Sequence, residues 1–153
     1  MTRHLTILLL TLLLTLPTTL MAQQGLAIQK VLDGTYKKNP NTTDVEIFSN
    51  RLTEFNLTYY HSLTVTNDSL IMAAIAQAVM ADEAAAVNKE VSYIGAKMYY
   101  GFLEMKRLNP DENRFIFYRD MRLAPHNASK PVVMLIYMEG SASLNELKNK
   151  FKN

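Results

Sequence analysis

From Leu57 to Val65 the chain alternates. Leu57, Tyr59, His61, Leu63 and Val65 fall on one side and Thr58, Tyr60, Ser62 and Thr64 on the other. Side chains of a strand point to opposite faces with period two, so one face of this strand is apolar and the other rich in hydroxyls. A strand of that kind needs a sheet around it, packed on one side and partly wet on the other. No helical pattern accommodates it.

The neighbouring segments supply such a sheet. Thr43 to Ser49 alternates around Val45 and Ile47, and Lys97–Met105, Arg114–Arg119 and Val132–Glu139 have strand character. Val132 to Met138 is continuously apolar, as expected of a strand in mid-sheet with both faces covered, and Gly140 ends it. Asn109-Pro110-Asp111 and the stretch Ala124–Lys130 read as turns.

Three helices are expected. Leu26, Ile28, Val31, Leu32 and Tyr36 recur at helical spacing over residues 25–37, and Asn39-Pro40-Asn41 stops them. Asp68 offers an N-cap to a helix from Ser69 to about Val87. Its first three turns carry no charge, so most of its sides should be buried, with Asp82 and Glu83 marking its arrival in water. Ser143-Leu144-Asn145-Glu146 is a capping box opening a last helix, with Leu144, Leu147 and Phe151 on one face. The order αββαβββα, with short turns, predicts a single α+β domain over 23–153. It has two layers, a mainly antiparallel sheet of about five strands with the helices packed on one face.

Residues 1–22 read as a signal peptide. Arg3 and His4 precede an apolar run from Leu5 to Leu16, Pro17 breaks it, and Leu20-Met21-Ala22 ends on a small residue. The run is too short to span a bilayer as a helix. The expectation is a soluble protein, periplasmic or extracellular, with no transmembrane anchor once the leader is cleaved.

Composition narrows the chemistry. The 153 residues include no cysteine, so packing rather than disulfides must stabilise the fold, and the 48% hydrophobic content suits that demand. Removal of Arg3 leaves 15 basic against 14 acidic residues, spread along the chain without the dense basic footprint that nucleic acid requires. Lys148, Lys150 and Lys152 lie where they complement a helix C-terminus.

Catalytic signatures are missing. Beyond residue 22 there are two histidines, His61 and His126, too few for a zinc site without carboxylates from elsewhere. His61 fits a hydrogen-bonded core histidine and His126 a turn residue. Ser62 follows His61 directly, but strand neighbours face apart and form no dyad. No nucleophile elbow and no glycine-rich phosphate loop occurs, so no catalytic residue, metal or cofactor is assigned. A small hydrolase centred on His61 or His126 stays as an alternative, and so does a self-associating structural protein.

Tyrosines give the stronger lead. Tyr60, Tyr99 and Tyr118 lie on strands, and in the pairs Tyr59-Tyr60 and Tyr99-Tyr100 alternation puts one ring in the core and one outside. An outward tyrosine among threonines suits binding of a protein, peptide or glycan in the cell envelope; cross-strand pairing is the competing explanation. Asn41, Asn56, Asn67 and Asn127 each begin an Asn-X-Ser/Thr acceptor. Asp68-Ser69-Leu70 matches the Asp-Ser/Thr-apolar signal for O-glycosylation at Ser69, against the plainer explanation of a helix N-cap.

The chain resembles a family of small exported Bacteroidetes proteins of unknown function. The residues concerned are Gln24-Gly25-Leu26, Thr43-Asp44-Val45, Leu52, Phe55, Leu57, Tyr60, Ser62 and Leu63, and Arg114-Phe115-Ile116-Phe117-Tyr118-Arg119. The resemblance implies export and an α+β fold, and it carries no catalytic residues.

Overall fold

The computed structural model describes residues 23–124 and 131–151. Residues 1–22, expected to be a signal peptide, His126, the Asn127 acceptor and Lys152 lie outside the described residues. After a short 3-10 turn, Ala27–Lys30, come β1 (Thr42–Phe48), β2 (Leu57–Thr66), α1 (Ser69–Glu83) and β3 (Asn88–Ile94). Then follow β4 (Lys97–Met105), β5 (Asn113–Asp120), β6 (Val132–Gly140) and α2 (Leu144–Phe151). The six strands form one sheet in the order β1-β2-β6-β5-β4-β3, every neighbouring pair antiparallel.

The last strand enters the middle. β6 pairs with β2 on one side and β5 on the other, where its unbroken apolar run is covered on both faces. That placement agrees with the pattern of Val132–Met138. The fold is α+β and antiparallel as expected, but the sheet has six strands rather than about five. The added strand, β3, forms a hairpin with β4 around Gly95 and carries mostly exposed residues, as a polar edge strand should.

Both faces of the sheet are covered, which corrects the expected two-layer arrangement with helices on one face. On the first face Ile71, Met72, Ile75 and Val79 of α1 pack with Leu63, Val65, Leu103, Ile116, Val133 and Leu135, joined by Ile28, Val31 and Leu32. On the second, Leu147 of α2 joins Leu52, Leu57, Phe102, Phe115, Phe117, Ile136 and Met138. The reason lies in the central strands, which are apolar on both sides. Each large aliphatic or aromatic side chain so buried contributes roughly 1.5–3 kcal/mol.

Three helix expectations also change. The segment 25–37 forms only the 3-10 turn, because Gly34 at φ 90° turns the chain soon after Leu32. α1 ends at Glu83 rather than Val87 and buries one stripe, leaving Leu70 83% and Met80 43% exposed. Asp82, expected at the water boundary, is buried. The caps form as read. Asp68 accepts from Ile71 N at 3.1 Å, and Ser143 N donates to Glu146 Oε2 at 2.7 Å while Glu146 N donates to Ser143 Oγ at 3.3 Å.

Candidate binding cleft

Insertion of β6 between β2 and β5 lines up polar side chains in rows across the sheet. Phe48, Tyr59, Glu139 and Arg114 occupy successive strands in register, and so do Glu46, His61, Tyr137 and Ile116. Tyr59, His61, Tyr137 and Arg114 are buried on the face that also carries α1. Polar groups withdrawn from water must find partners, and these do.

His61 Nε2 lies 2.9 Å from Asp44 Oδ1, and Nδ1 lies 3.1 Å from Gln23 Nε2 and 3.2 Å from Tyr59 Oη. One assignment of protons serves every group. Nε2–H donates to Asp44, and the Gln23 amide donates to His61 Nδ1 and, at 3.3 Å, to Tyr59 Oη. The Tyr59 hydroxyl in turn donates to Glu46 Oε1 at 2.7 Å. Burial first, then the Glu46 hydrogen bond, pushes the Tyr59 phenol far above its ordinary value. It stays protonated at neutral pH and is no nucleophile.

Beside this network Arg114 holds the next row. Its Nε donates to Tyr137 Oη at 2.9 Å, Nη1 to Lys106 O at 3.1 Å and Nη2 to Gln24 O at 2.9 Å. Tyr137 donates its own proton to Glu139. Burial raises the Glu139 carboxyl above the usual range; the Tyr137 bond lowers it, Glu112 raises it further and Arg114 lowers it. Glu112 accepts from Thr58 Oγ1 at 2.8 Å and from Asn109 Nδ2 at 3.0 Å.

Above these groups opens a cleft of about 460 Å³ lined by Phe48, Tyr59, Leu108, Glu112, Arg114 and Glu139. Phe48 is 66% and Leu108 52% exposed, so two large apolar side chains stand in solvent at its rim. A second cleft of about 340 Å³ lies over Asp44, Glu46 and His61. Acceptor oxygens at the base and apolar rims suit a ligand with polar donors and apolar flanks.

The tyrosines singled out from the sequence are not brought together. Tyr118 is 1% exposed within the core beneath α1, and its hydroxyl has no hydrogen-bond partner among the described residues. Tyr60 packs half-buried against the opposite core. Tyr99 is half-buried, and its hydroxyl accepts from Arg119 Nη2 at 3.2 Å. Alternation fails at Tyr99-Tyr100 because the β3–β4 register passes from Tyr100 to Met98, leaving Tyr99 in a bulge, and both rings are half-buried. Ser69 is exposed as the first residue of α1. His61 is a buried, hydrogen-bonded histidine. Among the described residues no group of three or more His, Cys, Asp or Glu could hold a metal ion.

Glu139, Arg114, Glu112, Phe48 and Leu108 escape the sequence reading. Charges that flank the apolar runs Phe115–Tyr118 and Val132–Met138, Arg114 before the first and Glu139 after the second, were the available signal.

A family model described as "Family of unknown function (DUF6108)" matches residues 15–151. No curated protein and no solved structure matches the chain.

Proposed function

Because the chain belongs to that family of unknown function, which carries no assigned chemistry, we propose from the site itself an exported binding module. It accepts an envelope peptide or protein segment, and a basic side chain of that segment enters the Phe48–Leu108 cleft. One observation carries this: Phe48 and Leu108 are held in solvent above the carboxylates of Glu112 and Glu139. A lysine or arginine has the matching form, an apolar stem and a cationic head. The Arg114 guanidinium already donates to Tyr137, Lys106 and Gln24. β1, which carries Phe48, is an edge strand, so an extended peptide can pair with it. Export is supported by the leader pattern of residues 1–22 and fits the lack of any membrane-crossing helix among the described residues.

Fluorescence anisotropy with lysine- and arginine-containing peptides tests this, with neutral envelope glycans as competitors. Phe48→Ala and Glu139→Gln should each weaken peptide binding about tenfold, near the worth of one charged hydrogen bond or anchor. High salt should weaken it too. Loss of binding in Tyr60→Ala or Tyr99→Ala, with Phe48→Ala and Glu139→Gln unaffected, would move the site to the opposite face. Glycan binding alone would replace the ligand class.

The Asp44–His61 pair favours a second reading, a hydrolase in which His61 acts as base. Its weakness is the nucleophile: the Tyr59 hydroxyl is committed to Glu46, and Ser62 points to the other face. Ester turnover abolished by His61→Ala in a folded protein would establish it. At Ser69, the exposed Asp68-Ser69-Leu70 sequence supports O-glycosylation, and intact-mass measurement of the exported protein decides it; an unmodified Ser69 ends the idea.

A further inference from the structure

A separate cleft of about 480 Å³ lies between α1 and the far end of the β4–β5 pair. Ala73, Ala76 and Met80 of α1 and Met98 of β4 give it mostly apolar walls, interrupted by the Gln77 amide, and Lys97, Asp120 and Arg122 its polar end. Asp120 and Arg122 are joined by two side-chain hydrogen bonds, Arg122 Nε to Oδ1 at 2.9 Å and Nη2 to Oδ2 at 2.7 Å, so their charges offset. Lys97 has no ion pair among the described residues and leaves the cleft net positive. Tyr118 also lines it, and its buried hydroxyl has no hydrogen-bond partner among the described residues.

An unpartnered buried hydroxyl is costly unless something accepts its proton. Burial, and next the nearby Asp120 charge, hold the Tyr118 phenol above its ordinary value, while Arg122 acts against them. The group is therefore a proton donor in search of an acceptor. One cation free of ion pairs, one O–H donor and walls mainly of alanine and methionine match one ligand form, an anionic acceptor carrying an apolar tail. Methionine side chains are flexible enough to admit such a tail of variable shape.

We propose that this cleft binds an amphipathic carboxylate of the medium-chain fatty-acid class. The carboxylate lies between Lys97 and the Tyr118 hydroxyl, and the alkyl chain lies along Ala73, Ala76, Met80 and Met98. The site is distinct from the Phe48–Leu108 cleft, and neither depends on the other.

Isothermal titration of the purified protein with decanoate below its micelle concentration, and with decanol for comparison, tests the assignment. Decanoate should bind at one site per chain and about tenfold more tightly than decanol, the margin a charged hydrogen bond provides. Lys97→Gln and Tyr118→Phe should each remove about that factor for decanoate and leave decanol unchanged. Tyr118→Phe loses no hydrogen bond among the described residues, and Lys97 is exposed, so both variants should keep the fold; a thermal melt verifies this. Equal affinity for the acid and the alcohol, no binding heat, or decanoate binding indifferent to both substitutions would each overturn the proposal. The Phe48→Ala variant should titrate like the unaltered protein.

Discussion

Asp82 accepts the backbone N–H of Ile28 at Oδ2, 2.9 Å away, and that of Ala27 at Oδ1, 2.7 Å away. A carboxylate in the last turn of α1 thus fastens the N-terminal segment that supplies Ile28, Val31 and Leu32 to the core. Asp82→Ala leaves both donors without an acceptor and should cost about 2–4 kcal/mol in urea unfolding. Asp82→Asn keeps one acceptor and should cost less. Burial, the largest influence, raises the Asp82 carboxyl above its ordinary 3.8, against the lowering by the two N–H groups and Arg114. Its folded value then exceeds its unfolded one, so the contribution is complete below 3.8 and is lost as pH rises through the folded value. The stability gap between the unaltered protein and Asp82→Asn should therefore narrow from acid to neutral pH.

The adjacent carboxylate behaves in the opposite sense. Glu83 accepts from the Tyr93 hydroxyl and, at 3.0 Å, from Lys89 Nζ. The Tyr93 bond, opposed by burial and aided by Lys89, lowers the Glu83 carboxyl below 4.5. Its stabilisation is present above 4.5 and lost as pH falls through the folded value. Glu83→Gln should cost about 0.5–1 kcal/mol at neutral pH, as for a partly exposed pair, and nothing measurable in acid. Chemical denaturation at several pH values should give opposite slopes for these two neighbours.

β2, β4, β5 and β6 were legible because period-two or unbroken apolar runs follow from local geometry. β3 was not, since Asn88-Lys89-Glu90 is polar on an edge where one neighbour suffices. The segment around Ile28 has true helical spacing, yet its burial comes from α1 and Asp82, contacts far away in sequence. The cleft was hidden for a related reason. Tyr59, Glu139 and Arg114 become neighbours only once β6 lies between β2 and β5, and strand order is not written in any one strand. Tyr118 does not stand on an outer face because it belongs to a strand buried on both faces, where alternation no longer separates inside from outside.

Two buried tyrosines should respond differently to loss of the hydroxyl. Tyr118 has no partner for its Oη among the described residues, so Tyr118→Phe should be neutral or raise stability by up to about 1 kcal/mol. Tyr137 accepts from Arg114 and donates to Glu139, so Tyr137→Phe strands two charged groups and should cost about 2–3 kcal/mol. Parallel thermal melts give the comparison directly.

Gly140 closes β6 where the chain has no room for a side chain. Its φ is +156°, and a Cβ there would stand 2.3 Å from Asn56 O and 2.6 Å from Leu57 Cα. Both are backbone atoms, and Asn56 O already accepts from Ala142 N at 3.0 Å, so neither can retreat without disturbing the β2–β6 register. Gly34, at φ +90°, shares the unusual backbone but has open space around its missing Cβ. Gly34→Ala should cost only the conformational penalty, about 1–2 kcal/mol. Gly140→Ala adds a backbone collision and should cost about 3 kcal/mol or more, the upper range for overpacking. Equal losses in the two variants by urea denaturation would show that φ alone, and not the approach of Asn56 and Leu57, demands glycine at the end of β6.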